Sequence, residues 1–204
     1  MKKIPTMFKR IFYGKRIAEI TEEFSSPACE NALLNGIPTV KLDGACCAII
    51  DGVFYKRYDA KNGKPVPDGA NKCQDEPDPV TGHLPCWIRV DENNPADKWF
   101  IAAYNRKMQE VENHKSEEQA LMKARLFDAT YEAIGKHFQG NPYHLDFDII
   151  EPHGLRVIYA DLKTFDDIRD WIASHHDCEG IVWWVDGEPV CKIKRTDFGL
   201  QFPG

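Results

Sequence analysis

Four residues of this chain have the types and spacing for covalent phosphoryl chemistry: Lys41, Glu179, Lys192 and Lys194. Lys41 opens the tetrapeptide Lys41-Leu42-Asp43-Gly44, set between two apolar, strand-like stretches, Ile37–Val40 and Ala45–Ile50. An ammonium at a buried strand edge loses hydration unless something compensates it. A lysine held there with a depressed pKa becomes a nucleophile. Near the other end, Glu179-Gly180-Ile181-Val182 is followed by Lys192-Ile193-Lys194. Residues i and i+2 of a strand share a face, so Lys192 and Lys194 point the same way. Side by side they repel by roughly 1–4 kcal/mol unless an anion lies between or above them. A triphosphate supplies such an anion. An edge strand that carries lysines to discourage sheet extension needs none. The neutral Lys41 amine is the group expected to attack an α-phosphorus, with Lys192, Lys194 and a bound divalent cation lowering its pKa. Glu179 reads as a ligand of a metal or of its water, because Mg²⁺ takes one or two carboxylates and keeps several waters, or else as a solvated carboxylate at a helix end or strand start.

The elements that must position these groups read as follows. Residues 17–55 are mainly strand, with Asp51-Gly52 as a two-residue hairpin turn. Residues 59–82 are rich in Gly, Pro, Asp and Asn and predict a long surface loop. A strand around Cys86–Val90 and a polar turn at 91–97 come next. Ser116-Glu117-Glu118-Gln119 is a capping box that predicts a helix to about Ala129, burying Ala120, Leu121, Ala124 and Phe127. Residues 144–150 and 155–160 read as strands. Thr164 with Asp167 caps a helix whose apolar side is Phe165, Ile168, Trp171 and Ile172, and His175-His176 end it. Asp186-Gly187 marks a second hairpin, on which Trp183 and Trp184 face opposite ways. The fold class is α+β with antiparallel sheets.

The chain has 204 residues, which fits one domain over 1–204. Hydrophobic residues at 43% suffice for a core, and a net charge of −6 argues against general coating of nucleic acid. Lys2, Lys3, Lys9, Arg10, Lys15 and Arg16 all precede the first acidic residue, Glu19. That basic start suits a solvated terminus or a phosphate-binding edge equally. Seven cysteines without repeating spacing suggest reduced thiols and a cytoplasmic location. Cys73, His83 and Cys86 have the composition of a metal site but no paired C-x-x-C and no obvious fourth ligand. No apolar run is long enough to span a membrane, and no obligate protein partner is inferred.

In that order, the three pieces around Lys41, Glu179 and Lys192–Lys194 resemble the pattern of the covalent nucleotidyltransferases, the polynucleotide ligases and capping enzymes. The chain is similar to the adenylation domain of ATP-dependent RNA ligases, and among them to the small stand-alone 5′–3′ RNA ligases that include the vertebrate cytosolic enzyme. Ala45-Cys46-Cys47 after the tetrapeptide looks like this subgroup. Tyr55-Lys56-Arg57-Tyr58-Asp59 resembles the element whose arginine, Arg57 here, contacts the nucleotide or the substrate phosphate. Thr130–Gly135 resembles the motif whose glutamate, Glu132 here, binds the ATP ribose. The resemblance implies an aromatic stacked on adenine in the segment 144–148, where Phe147 is preferred to His144.

It further implies a nucleotidyltransferase domain of two antiparallel sheets flanked by helices, with a nucleotide cleft between the sheets. Activity would require ATP and Mg²⁺ or Mn²⁺, pass through a lysyl-AMP at Lys41, and join RNA 5′-phosphate and 3′-hydroxyl ends. Two departures narrow the reading. DNA ligases and capping enzymes usually carry arginine where this chain has Cys46, and the sequence ends ten residues after Lys194, so no C-terminal OB domain is expected. The alternatives are a DNA ligase or RNA guanylyltransferase on the same scaffold, or a non-catalytic RNA-binding relative.

Overall fold

The computed structural model describes residues 1–14, 16–62, 64–113 and 129–203. It is α+β with antiparallel sheets. Two compact units divide the chain, one formed by residues 4–43 and 154–204, the other by 1–3 and 44–153.

The first of these holds β1 (Phe8–Tyr13) and β2 (Arg16–Phe24), paired as a two-stranded ribbon. It also holds a three-stranded sheet in which β10 (Gly180–Val185) lies between β3 (Ile37–Lys41) and β11 (Glu188–Lys194). Asp186 and Gly187, with φ of 51° and 80°, make the tight β10–β11 turn expected of an Asp-Gly pair. The period of two then sorts the side chains. Ile181, Trp183, Cys191 and Ile193 fall on the inner face and are fully buried. They pack against Cys29 and Ala32 of α1 (Pro27–Asn35), Ile168 and Ile172 of α3 (Phe165–Ser174), and Met7 and Phe8. The lysines fall on the opposite face. Trp183 is core and Trp184 half-buried, as the alternation requires. The free edge of β11 is filled by the N-terminal segment, where Lys192 N–H donates to Pro5 O (3.0 Å) and Lys192 O accepts from Met7 N–H (2.7 Å).

The second unit is a six-stranded antiparallel sheet in the order β6 (Asn71–Lys72), β7 (Leu84–Arg89), β5 (Val53–Ala60), β4 (Ala45–Ile50), β8 (Ala129–Gly135), β9 (Asp148–Pro152). One face, including Cys47, Ile49, Tyr131, Ala133 and Ile150, is buried with α2 (Lys98–Asn113). Phe100, Ala103, Tyr104, Met108 and Val111 supply the apolar stripe of α2 at helical spacing. Lys56 on β5 forms an ion pair with the buried Asp97, just ahead of α2. The other face of β4 and β8 carries Cys46 and Glu132.

Several expectations change. The span 17–55 contains a helix, α1, which starts at Ser26: its side chain accepts from Cys29 N–H, and Pro27 follows at the first helical position. α2 was not anticipated, although Asn94 and Pro95 mark its approach. Residues 155–160 make only a single bridge, Val157 to Thr39. A strand residue turns its N–H and C=O to the same side, and Pro38 offers its carbonyl to Ile158 but has no N–H with which to extend the ladder. The strand expected at 144–150 begins at Asp148, after a loop in which His144 has φ 52°. The capping box at Ser116 and the helix expected beyond it lie outside the described residues, except that Ala129 opens β8.

The capping box of α3 is present, with the Thr164 side chain accepting from Asp167 N–H (3.1 Å) and Asp167 Oδ2 accepting from Thr164 N–H (2.9 Å). The far end of that helix is closed by the buried Arg195, whose Nη1 donates to the carbonyls of Ile172 and of His175 (2.8 Å). Thr164→Ala should lower stability by about 1 kcal/mol. A urea midpoint equal to that of the parent chain would remove the cap from the account.

Candidate functional site

Lys41, Glu179, Lys192 and Lys194 are brought together by the three-stranded sheet. Gly180 is in register with Lys41 on one side and Lys194 on the other, and Val182 with Thr39 and Lys192. These residues share the face turned away from the core. Gly180 permits the close approach: a Cβ there would meet Ile193 O at 2.0 Å. Glu179 precedes it, tied by its backbone N–H to Lys41 O (3.0 Å) and by its carbonyl to Arg195 N–H (2.8 Å).

The Glu179 carboxylate, in a residue only 7% exposed, accepts from Lys41 Nζ on one oxygen and from Lys194 Nζ on the other. Lys41 Nζ also reaches Leu42 O at 3.3 Å. Burial raises the Glu179 pKa, but the two ammonium groups outweigh it and hold the carboxyl below its ordinary value. Lys192 is left beside this pair. Burial first, then the charges of Lys41 and Lys194, push its pKa down to about 8, with Arg10 adding to the effect. Lys192 is thus an easily deprotonated amine in this cluster, a property the sequence did not assign to it. Arg10 forms an ion pair with the buried Asp197, which also accepts from Lys194 N–H (2.8 Å).

The six-stranded sheet gathers Arg57, Cys46 and Glu132. Cys46 is in register with Glu132 on β8. Gly44 lets β4 start against β8, since a Cβ on it would lie 2.3 Å from Ala133 O and 2.9 Å from Glu132 Cγ. Both glycines of the sequence motifs are therefore demanded by close backbone approach. Arg57 Nε donates to Asp59 Oδ1 (2.8 Å) and Nη1 to Met1 O (3.1 Å). Burial and the Glu132 charge push the Cys46 thiol up to about 12, against the pull of Arg57. Glu132, also buried, bonds His153 Nε2 at 2.8 Å, and the other ring nitrogen of His153 contacts Thr130 Oγ1 at 2.9 Å. Sequence reasoning missed His153. It follows β9 at the sheet edge, and nothing in its local pattern ties it to Glu132.

Phe147 is half-exposed, with the Arg106 guanidinium 3.9 Å above its ring. His137 lies on Trp99 at 3.4 Å between centroids and bonds Asp148 Oδ2 at 2.7 Å. Cys73, His83 and Cys86 do not form a metal-sized group; among the described residues that group is Cys46, Glu132 and His153. A cavity of about 670 Å³ opens beside the Asp51–Gly52 turn, lined by Phe54, Arg89, Asp91, Ile101 and Tyr104 among others. It includes none of the candidate site residues named from the sequence.

Lys41 and Lys194 on one buried carboxylate, with Lys192 beside them, gather fixed positive charge on one face of an antiparallel sheet. The family model described as RNA ligase 1 matches residues 52–204, and the chain belongs to that family. The matched stretch starts after Lys41. A protein named RNA ligase 1 from Danio rerio is 30% identical over 163 residues, which is 72% of this chain and 47% of that protein. The Rattus norvegicus protein of the same name is 27% identical over 164 residues, with the same shares. The one from Pongo abelii is 25% identical over 242 residues, covering 90% of this chain and 73% of its own length. The chain thus spans about half the length of the fish and rat relatives.

Two outcomes follow from the lysine cluster. Glu179→Gln leaves three ammonium groups with less compensation and should cost on the order of 2 kcal/mol, read from urea unfolding at pH 7. Lys192 binds its proton less tightly when folded (about 8) than when unfolded (10.5). Between those values the unfolded chain holds more protons, so the Lys192 contribution makes stability rise with pH across the window. Lys192→Met should flatten that part of the urea-midpoint profile; an unchanged slope would place the depressed pKa elsewhere.

Proposed function

We propose that this chain joins RNA ends at the expense of ATP, through a lysyl-nucleotide formed on Lys41. The observation that carries the reading is the single buried carboxylate of Glu179 clasped by Lys41 and Lys194, with Lys192 beside them. In the absence of an anion these cations crowd one another. A triphosphate relieves that crowding and is thereby selected.

The proposed reaction has three transfers. Lys41 Nζ, having lost a proton to solvent, attacks the α-phosphorus; a P–N bond forms, the P–O bond to the β-phosphate breaks, and pyrophosphate leaves. An RNA 5′-phosphate oxygen then displaces the lysine and takes the AMP. Finally an RNA 3′-hydroxyl attacks that activated phosphate and AMP departs. Lys192 and Lys194 stabilise the phosphate charge that builds up, a role of fixed cations in phosphoryl transfer. Lys41 must first leave Glu179, because an amine held as an ammonium on a carboxylate has no free electron pair.

Glu179 fits a Mg²⁺ or Mn²⁺ bound through one carboxylate and phosphate oxygens, and that cation would neutralise triphosphate charge when present. Glu132 is assigned the ATP ribose, Arg57 a phosphate or ribose contact, and Phe147 the adenine. The antiparallel sheets are read as a nucleotidyltransferase fold, acting in the cytoplasm, where a reducing medium suits seven free cysteines. Membership of the RNA ligase 1 family supports an RNA substrate over a DNA nick or a cap.

Incubation of the protein with α-labelled ATP and Mg²⁺ should yield a labelled covalent adduct that is discharged by 5′-phosphorylated RNA. Lys41→Ala should abolish the adduct, and Lys192→Ala should lower its rate on the order of 10²-fold or more. An adduct that survives in Lys41→Ala, or that forms with GTP in preference to ATP, would overturn the reading.

A further inference from the structure

Cys46, Glu132 and His153 offer a thiol, a carboxylate and an imidazole whose ligand atoms all lie within 4.8 Å of one another. We propose that these three side chains form a binding site for a thiophilic divalent cation, Zn²⁺ in particular. The site goes beyond the ligase reading and does not rest on it; because it uses the Glu132 carboxylate that the reading assigns to the ribose, ion and nucleotide would exclude one another there.

The chemistry matches that metal. Zinc accepts sulfur, nitrogen and oxygen donors in a tetrahedron, at about 2.0–2.3 Å, which sets donor–donor edges of roughly 3.3–3.8 Å. The three atoms need to move by about 1 Å or less to meet those edges. Charge also balances: a dication against one thiolate, one carboxylate and a neutral imidazole leaves no net charge in a spot where Glu132 is buried. Mg²⁺, which prefers an all-oxygen octahedron, is disfavoured by the sulfur and the ring nitrogen.

Thr130 is the feature that makes the histidine usable. An ionised Glu132 can only accept, so a neutral His153 ring in contact with it donates from Nε2–H and leaves Nδ1 to accept from the Thr130 hydroxyl. A hydroxyl both donates and accepts. When a cation takes the Nε2 lone pair, the ring proton moves to Nδ1 and donates to Thr130 Oγ1, so the imidazole keeps its orientation in both states. Binding replaces the thiol proton of Cys46, which leaves to solvent. Arg57 lies close enough to act on the Cys46 sulfur, and its own charge is engaged by Asp59. Three protein ligands leave a fourth position for water, the pattern of an open zinc site and not of a closed structural one. The His153 and Glu132 side chains keep 18% and 10% of their surface exposed, which gives the ion a way in.

The test uses the full, reduced, metal-free chain titrated with Co²⁺ under nitrogen. One equivalent should produce a sulfur-to-cobalt charge-transfer absorption that Zn²⁺ abolishes. Cys46→Ser should lose the absorption, while Cys73→Ser should keep it. His153→Ala and Glu132→Gln should each weaken cobalt binding at least about 10-fold. A measurement on the unaltered protein guards against misfolded variants: alkylation of Cys46, mapped by mass spectrometry, should slow at least about 10-fold in saturating zinc. No absorption at one equivalent, its persistence in Cys46→Ser, or an unchanged alkylation rate at Cys46 would each overturn the site.

Discussion

The arrangement of the lysines depends on one buried carboxylate. Three ammonium groups on the outward face of a small sheet repel one another, and β3, β10 and β11 carry them into register because Glu179 stands among them. Gly180 makes that possible sterically. Any side chain at that position would run into the β11 backbone, so the central strand approaches its neighbour only where Cβ is missing. The inner face, with Ile181, Trp183, Cys191 and Ile193, supplies the burial that holds the strands flat against α1 and α3. Electrostatic need and hydrophobic support thus sit on opposite faces of the same three strands.

The six-stranded sheet follows the same logic with a different cast. Its buried face is apolar and packs on α2, while the opposite face presents Cys46 and Glu132, with Arg57 near Cys46. Its charged and ring groups are partnered: Arg57 with Asp59, Glu132 with His153, and His153 with Thr130. Such satisfied networks hold side chains in single positions, since a buried polar group left unpaired costs free energy. The preorganised side chains are also what allow a thiol, an imidazole and a carboxylate to be weighed as metal ligands.

Family membership and site geometry bear on the function differently. The match to RNA ligase 1 covers residues 52–204 and so rests on the six-stranded sheet from β5 onward and on the β10–β11 hairpin. The case for Lys41 is carried by its register beside Gly180 and its contact with Glu179. The matched stretch contains Glu179, Lys192 and Lys194, while Lys41 joins them only through the fold.

Period-two patterning was enough to read the hairpins at Asp51-Gly52 and Asp186-Gly187, the shared face of Lys192 and Lys194, and the split between Trp183 and Trp184, because strand geometry is local. The capping box at Thr164 was legible for the same reason. What the sequence could not supply were contacts between residues far apart in the chain: Glu179 clasping Lys41 and Lys194, the depressed pKa falling on Lys192, and His153 joining Glu132 and Cys46. Burial and charge at a site are sums over neighbours from several strands, and those neighbours exist only once the sheets have formed. The lone bridge at Val157 makes the same point at the level of secondary structure. Local residues proposed strand there, and the partners available in the folded chain decided otherwise, whereas the start of α1 at Ser26-Pro27 is a local signal.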